Sequence, residues 1–76
     1  MSGKLPVLTA REVIVILRKL GFVQVRQRGS HKRFRHPDGR STTVPDHPGR
    51  DISPTLLRQI AEDIDLHPEE LIKYRK

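Results

Sequence analysis

Apolar residues recur along the first third of the chain at helical spacing. Val13, Ile16, Leu17 and Leu20 share one stripe, and Ile14 broadens it. Thr9 stands at the N-cap position, and Glu12 three residues later completes a T-x-x-E capping box. Gly21 is a suitable C-terminal stop. The pattern predicts a helix over Ala10–Leu20. The period then drops to two. Through Phe22–Arg28, Val23 and Val25 alternate with Gln24, Arg26 and Arg28, as in a strand with one buried face. Gly29-Ser30 suits a two-residue type II′ hairpin, because glycine accepts positive φ at the first central position. His31–His36 makes the returning strand, Pro37-Asp38-Gly39 a second tight turn, and Arg40–Val44 a third, short strand. Pro45 ends that strand, having no N–H for the ladder. Asp46–Asp51 reads as a loop. Ser53-Pro54 is an N-cap followed by a first-turn proline. Leu56, Leu57, Ile60, Ala61 and Ile64 form the apolar face of the helix it opens. Pro68-Glu69-Glu70 starts a last short helix bearing Leu71 and Ile72.

The order is α-β-β-β-α plus a short C-terminal helix. A run of strands between helices predicts an α+β fold, with helices packed on one face of a three-stranded antiparallel sheet. The 76 residues are expected to make a single domain over residues 1–76, with a thin core. The first hairpin fixes a register. Arg28 faces His31, Arg26 faces Arg33 and Gln24 faces Arg35 on one side; Val25 faces Phe34 and Val23 faces His36 on the other. The expectation is an apolar side against the helices. The open side holds Gln24, Arg26, Arg28, His31, Arg33 and Arg35, joined by Ser41 and Thr43 from the third strand.

Charge sharpens this picture. The formal charge is +6. Residues 1–50 hold eleven Lys/Arg against three Asp/Glu, a balance of +8, and residues 51–76 hold four against six, a balance of −2. Six basic residues and one acid fall within Arg26–Arg40. A basic centre on a short chain favours a polyanionic partner, nucleic acid before a membrane surface. Arginines directly opposed across a hairpin repel mildly, and phosphate groups would relieve that repulsion. There is no cysteine, so neither a disulfide nor a thiolate metal site is available. His31, His36, His47 and Asp46 lack a short metal-ligand spacing, so no metal or other cofactor is expected. The longest apolar run, Val13–Leu17, is far short of a membrane span. Met1–Thr9 holds no signal-peptide stretch. A cytoplasmic protein with no membrane role is expected.

His31 is the residue of the open side with reactive chemistry. An imidazole titrates near working pH and can act as general base or acid. RNA carries its own nucleophile, the 2′-OH, so a base together with cations around the phosphate can suffice. In this reading His31 takes the 2′-OH proton, Arg28 and Arg33 stabilise the charge growing on phosphorus, and Arg26 and Arg35 hold flanking phosphates. No leaving-group acid is assigned. His36 is expected to be structural, holding the Pro37–Gly39 turn. His67 is expected to be an exposed helix-start residue. His47 is a loop residue ranked below these roles, able to approach the site or a partner. The Glu62, Asp63 and Asp65 cluster reads as a solvated face. Two alternatives stay open: a non-catalytic RNA-binding module, and an interaction protein whose basic face serves only an acidic partner.

Several segments, taken in order, carry a resemblance. They are Gly21-Phe22; Arg26-Gln27-Arg28-Gly29-Ser30-His31; His36-Pro37-Asp38-Gly39-Arg40; Val44-Pro45 with His47-Pro48-Gly49; and Ser53-Pro54-Thr55-Leu56-Leu57-Arg58. Together the chain resembles the HicA toxins of HicAB toxin–antitoxin systems, from Thr9 to about Ile72. The resemblance implies a fold like a double-stranded-RNA-binding domain. It implies an mRNA interferase that cuts RNA without needing the ribosome and arrests growth. It places the catalytic histidine of the G-S-H element on His31. From the hairpin reading, the RNA contacts are expected at Arg26, Arg28, Ser30, Lys32, Arg33 and Arg35. It also implies a HicB-type antitoxin covering the active face, the toxin being a monomer alone and part of a hetero-oligomer with the antitoxin. Two positions depart from the pattern: Lys32 stands where some members have a second histidine, and the tail Leu71–Lys76 is longer than in several.

Overall fold

The computed structural model describes residues 7–75. For residues 1–6, the reading of the first segment as free of a signal stretch lies outside the described residues. The element order is β1 (Leu8–Thr9), α1 (Ala10–Lys19), β2 (Val23–Arg28), β3 (His31–Arg35), β4 (Ser41–Pro45), β5 (Asp51–Ile52), α2 (Pro54–Asp63) and α3 (Pro68–Lys73). The expected α+β architecture is present. β2, β3 and β4 form one antiparallel sheet in that order, and the two-residue strands β1 and β5 pair separately. The sequence pattern had placed the β5 residue Asp51 in a loop.

The helix ends follow the local signals. Glu12 N–H donates to Thr9 Oγ1 at 3.1 Å, and Thr9 N–H donates to Glu12 Oε1 at 2.9 Å, so the capping box forms. Beyond α1, Phe22 N–H reaches Leu17 O at 2.9 Å and Gly21 N–H reaches Arg18 O at 3.0 Å, which satisfies two terminal carbonyls. Gly21 adopts φ +98°, and a Cβ there would meet His36 Nε2 at 3.0 Å, so this stop needs glycine twice over. Ser53 Oγ caps α2 by accepting from Leu56 N–H at 3.1 Å. His67 is exposed at the start of α3, where its N–H donates to Glu70 Oε1 at 3.0 Å.

One apolar cluster holds these elements together. Leu8, Val13, Ile16, Leu17, Phe34, Val44, Leu57, Ile60, Ile64 and Leu71 are all fully buried in it. α1 and α2 both pack on β4. Thr42 is the buried polar residue among the described ones, and its hydroxyl donates to Asp63 Oδ2 at 2.9 Å, tying β4 to α2. Asp63 therefore serves the fold, while its neighbours Glu62 and Asp65 face solvent. His36 is structural, as expected: its Nδ1 accepts from Asp38 N–H at 3.1 Å, and its ring meets Phe22 edge-on at 5.1 Å.

The hairpin register holds only for the half nearest the turn. Arg28 faces His31 and Arg26 faces Arg33, but Gln24 then faces Phe34 and Val23 faces Arg35, with a bulge at Val25 between them. Two expectations are corrected by this. Val23 and Val25 do not enter the core; they are 60% and 57% exposed. Gln24 does not join the open face; it lies opposite Phe34, on the helix side. The physical reason is the placement of the helices. Both helices pack chiefly on β4, and β2 is the edge strand at the far side of the sheet. Burial exerts no pull on its valines, and an edge strand accommodates an extra residue.

Candidate active site on the open sheet face

The site grows from the Gly29-Ser30 turn. Gly29 has φ +60° and Ser30 is not among the positive-φ residues, as a type II′ turn requires. His31 is thereby set on the face turned away from the helices, exposed, with Arg28 directly across on β2 and Pro45 directly across on β4. Arg33 and Arg35 share that face by the two-residue period of β3, and Arg26 joins them opposite Arg33. The structure thus brings His31, Arg26, Arg28, Arg33 and Arg35 onto one exposed surface.

Arg33 is held more firmly than a surface arginine needs to be. Its Nη2 donates to Ser41 Oγ at 2.8 Å and its Nη1 to Thr43 Oγ1 at 3.1 Å. Two hydroxyls from β4 fix the fork, so less side-chain entropy remains to be lost when an anion arrives. His31 and Arg33 line one wall of an open groove of about 540 Å³, with Thr43, Pro45, Leu56 and Gln59 around it. One side of the groove is therefore sheet and the other is α2.

Two other basic residues of the Arg26–Arg40 run are engaged elsewhere. Lys32 Nζ pairs with Asp46 Oδ2 at 2.7 Å behind the open face, with a quarter of its side chain exposed. Arg40 bonds Asp38 at 2.8 Å and Ile64 O at 2.6 Å, and lies over the Phe22 ring. It ties the second turn to the end of α2. The Arg40 N–H and guanidinium together hold the Asp38 carboxyl below the usual aspartate range.

The segment after β4 folds back onto the hairpin turn. Asp46 N–H donates to Ser30 O at 2.7 Å, Lys32 clamps the Asp46 carboxylate, and His47 Nε2 lies 3.2 Å from Ser30 Oγ. These contacts bring the His47 ring to 6.2 Å from the His31 ring, centroid to centroid, at an interplanar angle of 82°. The sequence leaves His47 as a loop residue able to approach the site, and the fold brings it beside His31. A usable signal was there: the Pro37–Gly39 turn sets Pro45 opposite His31, so the chain two residues later passes the first turn. Arg11 and Arg50 border the same segment and add positive charge beside it.

The Lys32 ammonium, bonded to Asp46, holds that carboxyl below its ordinary value. A depressed aspartate stabilises the fold fully above the ordinary value of 3.8 and loses that contribution as pH falls through the lower folded value. Asp46→Asn is therefore expected to melt below the parent protein near neutral pH. The gap in melting temperature should close well below pH 3.8. A gap that persists in acid would rule out the ion pair as its source.

The chain is thus a small α+β protein with an exposed histidine among arginines on an uncovered sheet face. The family model described as HicA toxin of bacterial toxin–antitoxin systems matches residues 10–66, more than half of the chain. The chain belongs to the HicA toxin family. A comparison with curated proteins finds no match. No helix among the described residues is long and apolar enough to cross a membrane.

Proposed function

We propose that the protein is the toxin of a type II toxin–antitoxin system, an endoribonuclease that cuts mRNA in the cytoplasm without a metal ion. The observation that carries this reading is the exposed His31, flanked by Arg28 and by the hydroxyl-anchored Arg33. His31 removes the 2′-OH proton, and the 2′-oxygen attacks the adjacent phosphorus. Arg28 and Arg33 stabilise the added negative charge, where a preorganised cation counts most. Arg26 and Arg35 hold the flanking phosphates. Ser30 helps shape the turn that the RNA meets, and Lys32 supports that turn from behind by fastening Asp46. A HicB-type antitoxin covers this face in a hetero-oligomer, and the toxin alone is a monomer. Val23 and Val25 stand exposed beside the arginines and offer such a partner apolar anchor points.

The test is incubation with labelled RNA in EDTA. Cleavage should leave 2′,3′-cyclic phosphate and 5′-hydroxyl ends. Binding should weaken with salt by roughly 0.7 log units per phosphate neutralised, for each tenfold rise. RNA binding without cleavage would favour the non-catalytic module. No binding even at low salt would favour the pure interaction protein.

A further inference from the structure

His47 has no part in the reaction as described so far, and the leaving oxygen has no proton donor. We propose that His47 is a second catalytic residue, the general acid that protonates the departing 5′-oxygen. This rests on the ribonuclease reading of the His31 site and completes it.

Three observations support it. The first is separation. The rings stand 6.2 Å apart and nearly perpendicular, so they neither stack nor share a proton. In an in-line displacement the attacking and leaving oxygens lie on opposite sides of phosphorus. Each proton-transfer group must come within about 2.6–3.2 Å of its own oxygen. Two imidazoles serving one phosphate must therefore stand apart with room between them, as these do. The second is fixation. A loop histidine would ordinarily sample many rotamers, but here Ser30 Oγ bonds Nε2, and the backbone on either side is fastened. Asp46 N–H bonds Ser30 O at 2.7 Å, and Arg50 N–H bonds His47 O at 3.1 Å. The third is availability. The His47 side chain is exposed, and among the described residues its Nδ1 has no hydrogen-bond partner.

The protons and electrons balance. The 2′-OH proton moves to His31 as the 2′-O–P bond forms. The P–O5′ bond breaks with its electron pair on O5′, and protonated His47 gives its Nδ1 proton to that oxygen. The products are a 2′,3′-cyclic phosphate and a 5′-hydroxyl. His31 then releases its proton and His47 regains one from solvent. Protonated imidazole donates from both nitrogens, so Nε2–H stays on Ser30 Oγ while Nδ1–H serves the substrate. Ser30 is thus a positioning residue for His47.

The experiment compares two substrates at a linkage mapped as cut by the parent protein: ordinary RNA, and the same RNA with sulfur bridging at the 5′ position. A thiolate departs without a proton. His47→Ala is expected to cut ordinary RNA ~10²–10⁴-fold more slowly and the sulfur RNA at close to the parent rate. His31→Ala should be slow on both. Equal slowing of His47→Ala on both substrates, or no slowing on ordinary RNA, would overturn the proposal. His47→Gln guards against a folding defect, since its amide can keep the bond to Ser30. It should show the same substrate split, and restored cutting of ordinary RNA would demote His47 to a positioning residue. If the parent cuts neither RNA, the ribonuclease reading itself has failed and His47 loses its role with it.

Discussion

His31→Ala is expected to lower RNA cleavage by ~10²–10⁴-fold, the usual worth of a positioned general base, while leaving most of the affinity for RNA. The two effects separate because different atoms produce them. Affinity comes from the guanidinium groups, and none of these depends on the His31 ring for its place. Arg33 is fixed by Ser41 and Thr43, and Arg28 is placed by the backbone pairing of β2 with β3. The ring is exposed, so its removal opens no cavity in the core. Gel-based cleavage assays in EDTA, run beside binding titrations at fixed salt, read the two quantities independently. A variant that cuts as well as its parent would remove His31 from the chemistry. A variant that neither cuts nor binds would mean the imidazole organises the arginines instead.

The second large effect concerns stability and tests the bulge. Phe34→Ala is expected to cost ~3–5 kcal/mol, the usual range for removing a buried phenylalanine. A chain of 76 residues has roughly 4–11 kcal/mol in total at typical values per residue. At ~4–8 °C per kcal/mol for a domain of this size, the midpoint should fall by more than about 12 °C. Val25→Ala should change stability by no more than about 0.5 kcal/mol, as surface substitutions do. In a regular ladder Val25 would sit across from Phe34 and share its burial, and both variants would be strongly destabilised. Thermal melts followed by circular dichroism distinguish the two arrangements. Comparable losses for the two variants would refute the shift in register.

Signals carried by neighbouring residues were legible in the sequence. The Thr9–Glu12 box, the Ser53-Pro54 start, the Gly21 stop and the Gly29-Ser30 turn each involve atoms within a few positions of one another, so local chemistry decides them. The position of His31 on the open face followed from the turn beside it. What was not legible depended on where the helices lie. The alternation in β2 suggests a buried face, yet the helices pack chiefly on the far strand β4 and the bulge shifts the register, so Val23 and Val25 stay in water. The same limit applies to charge. The two-residue period puts Lys32 on the helix side, but its bond to Asp46, like that of Arg40 to Ile64 O, depends on segments distant in sequence. His47 lies 17 residues from its partner Ser30, and the pairing of Pro45 with His31 was needed to bring it close. The β1–β5 pair was missed because two-residue strands leave no periodicity to detect.

The irregular outer strand of the sheet also bears on how the free toxin behaves in a crowd of its own kind. β2 offers an unpaired row of backbone groups, the usual template for one chain to zip onto another. Two copies meeting there would set Arg26 and Arg28 against their own like, along a border already buckled at Val25. The positive charges of the open face therefore also act as a fence, keeping a small protein with an exposed border from polymerising with itself.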